Sequence, residues 1–434
     1  MLRHGSASLR MCQGLTRRDV LQVAGIELLG LSLANQLRAR SAAAADASAN
    51  GRGRSCIFLW LDGGPSHLET WDPKPGTPDT IRGPYGSIST SITGTEISEL
   101  LPLMAERMHK VAIIRSLNHG IDSHAPIPMM TGIPGESTSH GAVVTKLHGF
   151  TQSMPPYVHI GSRLGVGAGS LGAPYNPVEV PDPTGSQIQL PDFALRADIK
   201  ADRFLQRQEL LASIDRLRAD ALAGRTVEKM DAYYQSAASM LTSEKVRIAF
   251  DLGRENDSLR DRYGNNFFGQ SCLMARRLVE AGTRFVQIKW YDGPAWDAWD
   301  VHGADLGGME RMEHHLCPRL DQGLSALLDD LEDRDLLAST LIAVVGEFGR
   351  TPNINKYGAR DHWPYCFSAL LAGAGVPGGA VVGTSDKTGA RPARRPVSPL
   401  EFAATIYKRL GIDTINDPRI RPFIREAIAM PELA

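Results

Sequence analysis

Uninterrupted apolar runs alternate along this chain with stretches whose apolar residues recur at helical spacing. Strand-like runs occupy residues 55–61, 111–116, 283–290, 341–345 and 367–372. Most lack the in-out alternation of a half-exposed strand, which is the pattern of strands covered on both faces. Helical spacing marks residues 98–108 (Leu100, Leu101, Leu103, Met104), 198–250 (Leu205, Leu210, Leu211, Ile214, Leu217), 259–281, 310–331 and 399–410. Charged residues fill many of the intervening positions, so these helices have one core face and one wet face. This order predicts an α/β fold: a doubly wound, mostly parallel sheet flanked by helices. Residues 69–94 and 150–200, rich in Pro and Gly, are expected to be loops. The second, with the helices that follow it, forms a loop and helical insertion at about 150–270.

In open sheets of this kind ligands bind outside the carboxyl ends of the strands, and there the polar residues gather. The first run ends in Asp62-Gly63-Gly64-Pro65-Ser66-His67. Asp before two glycines is either a turn former or a ligand beside which the backbone can fold tightly. Behind the second run come His119 and Asp122-Ser123-His124, a loop that is either solvated or functional. The next brings Asp300 and His302, which share a face if the segment is extended. Glu347, Arg350, Asp361 and His362 follow the run at 341–345. One such cluster is an accident of loop composition. Several, mixing carboxylates with imidazoles, require a cation to offset their repulsion. Oxygen and nitrogen ligands of these types suit zinc, manganese or iron. Arg350 either holds an anionic oxygen pair bidentately or pairs with a neighbouring acid.

Composition narrows the function. The 434 residues fill one large α/β domain with insertions, or two domains,. Lys and Arg (47) nearly balance Asp and Glu (48), so no overall field draws the chain to nucleic acid or an anionic membrane,. Arg391, Arg394 and Arg395 form a basic loop with no interleaved aromatic residues, the composition of a solvated surface. Cysteines at 12, 56, 272, 317 and 366 show no CxxC spacing, against a zinc knuckle or disulfide framework,. Residues 1–45 carry Arg17-Arg18, a weakly apolar stretch and then Ser41-Ala42-Ala43-Ala44-Ala45. This is the layout of a twin-arginine export signal with a small-residue cleavage region, the alternative being an amphipathic helix. The stretch is too short and polar for a stable membrane span. Export by this route leads to the periplasm or the extracellular space.

Several motifs in order carry a resemblance: Leu61-Asp62-Gly63-Gly64-Pro65-Ser66-His67, Met130-Thr131-Gly132, Trp299-Asp300-Val301-His302, Gly346-Glu347-Phe348-Gly349-Arg350-Thr351-Pro352 and Gly358-Ala359-Arg360-Asp361-His362-Trp363. With the arginine-pair leader they make residues 54–434 resemble the DUF1501 proteins of the alkaline phosphatase and sulfatase superfamily. The resemblance implies that superfamily's core and a site for divalent metal ions, whether zinc, manganese, calcium or iron. Asp62 matches the ligand after the first strand, Asp300 and His302 a later pair, and His362 the final histidine, with Asp361 beside it. Glu347 stands where an Asp-His-Gly aspartate is expected, and Phe348 replaces the histidine. Ser123 is the candidate nucleophile, His124 a ligand or base, and Arg350 an anion-binding group. The implied function is an exported metal-dependent hydrolase of phosphate or sulfate esters, on small-molecule or polysaccharide substrates. The alternative is a metal-binding, catalytically inactive binding or assembly protein on the same fold.

Overall fold

A computed structural model describes residues 54–434, except 125–127, 151–153, 163–164, 186–205, 207–242, 291–298, 304–307 and 426. The export segment and most of the helical stretch expected at 198–250 lie outside the described residues.

The described strands of the main sheet are β1 (Ser55–Leu61), β2 (Val111–Leu117), β3 (Tyr157–Ile160), β4 (Val178–Val180), β5 (Phe285–Trp290), β6 (Thr340–Gly346), β7 (Phe367–Ala372) and β8 (Val381–Val382). Their order across the sheet is β8-β2-β7-β6-β1-β5-β3-β4. Every pairing is parallel except those of β7, which runs against β2 and β6. The α/β, mostly parallel expectation is met. Its five apolar runs are the five long strands, whereas β3, β4 and β8 are too short to carry a periodic signal.

The described helices of six or more residues are α1 (Pro102–Arg107), α2 (His140–His148), α3 (Glu244–Phe250), α4 (Asp257–Tyr263), α5 (Phe267–Ala281), α6 (Cys317–Asp333) and α7 (Pro399–Arg409). Side-chain alternation along β1 divides them into two layers. Ile57, Leu59 and Leu61 pack with α1, α5 and α6; Cys56, Phe58 and Trp60 pack with α2 and α7. The helical stretch expected at 259–281 is divided into two helices. Gly264 has φ +94°, and Asn266 caps α5 by accepting from the Gly269 amide at 3.0 Å,. The helix expected at 310–331 carries a π-turn at Met312–Leu316, just ahead of Pro318, whose missing N–H leaves the preceding ladder to be closed another way,.

What this frame does for the chemistry lies in its register. Leu61 pairs with Trp290 on one side and Gly346 on the other. Three central strands therefore end level, and the chain leaves all of them at one edge.

Candidate metal centre

At that edge the backbone after β1 passes through a slot. Gly63 and Gly64 have φ of +99° and +75°. A Cβ on Gly63 would stand 2.3 Å from the Asp300 amide nitrogen, and one on Gly64 2.8 Å from the Phe348 ring. The two glycines are thus required by close approach as well as by their positive φ. The same slot lets the Asp62 carbonyl accept from the Trp299 amide at 2.7 Å.

Three side chains converge beside it: ligand atoms of His124, Asp300 and His362 lie within 4.8 Å of one another. The partners fix the tautomers. His362 Nδ1 lies 2.8 Å from the Asp122 carbonyl, and His124 Nδ1 lies 2.6 Å from Glu347 Oε1. Both partners only accept, so both rings donate from Nδ1. In a neutral ring Nε2 then carries a lone pair, and each Nε2 faces Asp300: 3.2 Å from Oδ1 for His362 and 3.7 Å from Oδ2 for His124. Lone pairs facing a carboxylate need a proton or a cation between them. Two ligands on one tetrahedral ion with bonds of about 2.1 Å stand about 3.4 Å apart, close to these separations. Anchoring Nδ1–H on an oxygen while Nε2 points inward is also how metal-bound imidazoles are held. The residues fit a divalent ion.

The groups around this triad set its charge. Asp300 Oδ1 also takes Arg350 Nη2 at 2.6 Å and His302 Nδ1 at 2.6 Å. Burial opposes its ionisation, but in the metal-free form a proton on His362 Nε2, donated to Asp300, together with Arg350 and His302 holds the carboxyl well below the usual range,. The His124 imidazole is pushed up, first by its hydrogen bond to Glu347 and against the effect of burial. Glu347 is buried; its Oε1 also accepts from the Gly63 amide at 3.0 Å, while among the described residues Oε2 has no hydrogen-bond partner. Such an orphan oxygen is costly unless a cation lies near it. Asp62 binds Trp60 Nε1 at 2.8 Å and faces Lys289 Nζ at 3.5 Å. Burial raises its carboxyl pKa, the Glu347 charge adds to that, and Lys289 opposes it.

Asp300 and His362 stand in the converging group, and His124 joins them as a third member. His302 orients Asp300. Asp62 and Glu347 form an acidic wall, Glu347 reaching the group through His124. Asp361 turns the other way: its carboxylate accepts from Asn355 Nδ2 at 2.8 Å, as expected for the neighbour of an inward-facing residue in an extended pair,. Arg350 is wholly buried, bonding the Gly64 carbonyl at 2.8 Å, the Arg360 carbonyl at 3.2 Å and that of Gly63, besides Asp300. A guanidinium so committed fixes the slot rather than receiving an anion, because withdrawing it would strand these carbonyls. Ser123 is exposed, between Asp122, whose carbonyl holds His362, and His124. Phe348, in place of a ligand, is buried with its ring 4.5 Å from His362 and 5.5 Å from His124.

His119, noticed in the sequence without a role, acquires one. Its Nδ1 accepts from the Ile121 amide at 3.1 Å, so Nε2 carries the hydrogen and donates to the Glu347 carbonyl at 2.7 Å. Burial lowers its pKa and favours that neutral form.

The family model described as "Protein of unknown function (DUF1501)" matches residues 53–416. No curated protein matches the chain. Among solved structures, the PsFucS1 sulfatase from Pseudoalteromonas sp. is 14% identical with a TM-score of 0.37, covering 84% of this chain and 69% of that one. The phosphonate monoester hydrolase SpPMH from Silicibacter pomeroyi is 12% identical at 0.37, covering 87% and 78%. The C-terminal periplasmic domain of EcEptC from Escherichia coli, in complex with Zn, is 8% identical at 0.36, covering 89% of each.

Proposed function

The chain belongs to the DUF1501 family, and from the side chains gathered at its sheet edge we propose that it is a metal-dependent hydrolase of phosphate or sulfate esters. The observation that carries this reading is the pair of imidazoles, each with Nδ1–H anchored and Nε2 turned toward one carboxylate. His124, Asp300 and His362 would hold the ion. Two nitrogens among the donors favour zinc, manganese or iron over calcium, which prefers an all-oxygen shell. The ion would supply Lewis acidity toward an ester oxygen and would acidify a bound water or hydroxyl.

The protein's own groups do the rest. Ser123, on the exposed side of the group, is the candidate nucleophile. Glu347 fixes the orientation of His124, and His302 that of Asp300. Arg350 and the two glycines keep the slot at a fixed width, so the groups need no rearrangement when substrate arrives.

Phe348 supports a second reading. A buried phenyl ring packed against two of the imidazoles supplies no ligand and no proton, which suits an ion held for structure in a binding protein. Metal analysis of purified protein together with aryl phosphate and aryl sulfate assays separates the two. Bound ion with turnover lost on chelation is the expected result; bound ion with no turnover of either ester class leaves only the second reading. Ser123→Ala is expected to lower kcat by at least about a hundredfold, or ~2.7 kcal/mol, with metal content unchanged. Unchanged turnover in that variant removes Ser123 as nucleophile.

Residues 1–45 make this an exported protein in the same reading, resting on Arg17-Arg18 and the small-residue stretch after them. Expressed in its own host, the protein is expected outside the cytoplasm with an N-terminus near residue 45. Changing both arginines to lysine should retain it inside; export unaffected by that change excludes the twin-arginine route.

A further inference from the structure

The basic loop at 391–395 looked solvated in the sequence because no aromatic residue interleaves it, but folding brings aromatics to it. The Arg391 guanidinium lies 4.0 Å over the Tyr365 ring and 5.7 Å from that of Trp363. The two rings are 5.0 Å apart, edge to face, and Trp363 Nε1 donates to the Ala390 carbonyl at 2.7 Å. Trp363 follows His362 directly, so this shelf stands one residue from a candidate ligand, on the opposite face of the extended pair. Its loop is held at several points. Asp386 accepts from the amides of Thr388, Ala390 and Arg391, and His67 Nε2 binds the Gly389 carbonyl at 2.9 Å. His67 lies in the segment that starts at Asp62, so shelf and slot are tied together.

The arginines near the site are committed differently. Arg350 is enclosed and bonded to carbonyls and to Asp300, and Arg360 is paired with Glu69. Arg395 pairs with Glu401 and Glu432. Arg391 is exposed, and among the described residues its guanidinium has no hydrogen bond or ion pair, only the stacking. A stacked guanidinium is preorganised, with its N–H edges left to solvent, which is the form suited to bidentate capture of a carboxylate, sulfate or phosphate.

We propose that Arg391, on the Trp363–Tyr365 shelf, recognises a second anionic group on the substrate, beyond the ester that is hydrolysed. Because Trp363 adjoins His362 in the chain but faces away from the converging group, the shelf meets a part of the substrate that extends past the strand rather than the ester that reacts,. The preferred substrates are then esters that are at least doubly charged, whether an aryl ester with an added carboxylate or sulfonate or a multiply sulfated or phosphorylated sugar. This rests on the hydrolase reading for its catalytic consequence but not for binding.

Two measurements test it. With metal-loaded protein, kcat/KM for 4-nitrophenyl sulfate and phosphate is compared with that for the corresponding esters bearing a ring carboxylate. The expected result is a preference of about tenfold for the carboxylated ester, lost in Arg391→Gln through KM with kcat unchanged and partly kept in Arg391→Lys, the size of one charge-assisted hydrogen bond. Calorimetric binding of benzene-1,3-disulfonate and of a disulfated disaccharide, neither needing turnover, is expected to weaken by a similar factor in Arg391→Gln. The probe that binds tighter to the wild type identifies the source. If no ester is turned over but disulfonate or disaccharide binding depends on Arg391, the hydrolase reading fails and the shelf stands. Equal binding of both probes by wild type and Arg391→Gln overturns the shelf.

Discussion

Glu69→Ala is expected to cost about 3–5 kcal/mol of stability, the usual loss when one partner of a buried ion pair is removed. Glu69 and Arg360 are each about 1% exposed, with Arg360 Nε 3.0 Å from both carboxylate oxygens and Nη2 2.5 Å from Oε1. Without the carboxylate, Arg360 keeps its bonds to the carbonyls of Thr351, Pro352 and Ile81 but has no charge to answer its own. The pair joins the segment after Asp62 to the segment that leads into His362, so weaker metal binding should accompany the loss of stability. Denaturant unfolding of Glu69→Ala, Arg360→Met and the double variant Glu69→Leu/Arg360→Met checks this. The double variant should recover part of the loss, because no unpaired charge stays buried in it. A loss below about 1 kcal/mol in Glu69→Ala would show that the pair is hydrated and contributes no more than a surface salt bridge.

What the sequence disclosed about this protein, and what it hid, follow from the range of the forces involved. Long apolar runs name buried strands because nothing else tolerates them, and β1, β2, β5, β6 and β7 were legible for that reason. The strand ends then named Asp62, Asp300, Glu347 and His362. Direction was hidden. Asp361 and His362 look interchangeable in the chain, yet only the pairing with Arg350 and Gly349 decides which faces inward. Arg350 and Arg391 are likewise the same residue on paper; one is enclosed by the carbonyls of Gly63, Gly64, Trp299 and Arg360, from three segments, the other lies on a ring brought from 26 positions away. His124 was ambiguous between ligand and base until its Nδ1 was seen on Glu347, 223 residues distant. Glu69 and Arg360 are 291 residues apart and gave no local signal at all. Phe348 was legible as an anomaly, and its burial beside His362 and His124 keeps it one.

Asp300→Asn is expected to lower divalent-ion affinity on the order of a thousandfold, about 4 kcal/mol, and separately to destabilise the metal-free protein. The two losses have different origins. The carboxylate is the one charged member of the converging group, and an amide offers a neutral oxygen plus an N–H₂ that would face the donors on Arg350 and His302,. Removing the charge also leaves Arg350, wholly buried, without its counter-ion, and that penalty exists whether or not an ion is present. His362→Ala is the control. His362 is partly exposed, its outer nitrogen bonds the Asp122 carbonyl, and Asp300 keeps Arg350 and His302 when it is removed, so its loss should weaken ion binding with a much smaller effect on metal-free stability than Asp300→Asn. Calorimetric titration with zinc and with manganese gives the affinities, and thermal unfolding in excess chelator gives the stability of the metal-free forms. If Asp300→Asn unfolds earlier in chelator yet binds both ions within tenfold of the wild type, the carboxylate is a structural partner of Arg350 and the ion lies elsewhere. If both quantities fall in Asp300→Asn and only the affinity falls in His362→Ala, one carboxylate is serving the slot and the ion together.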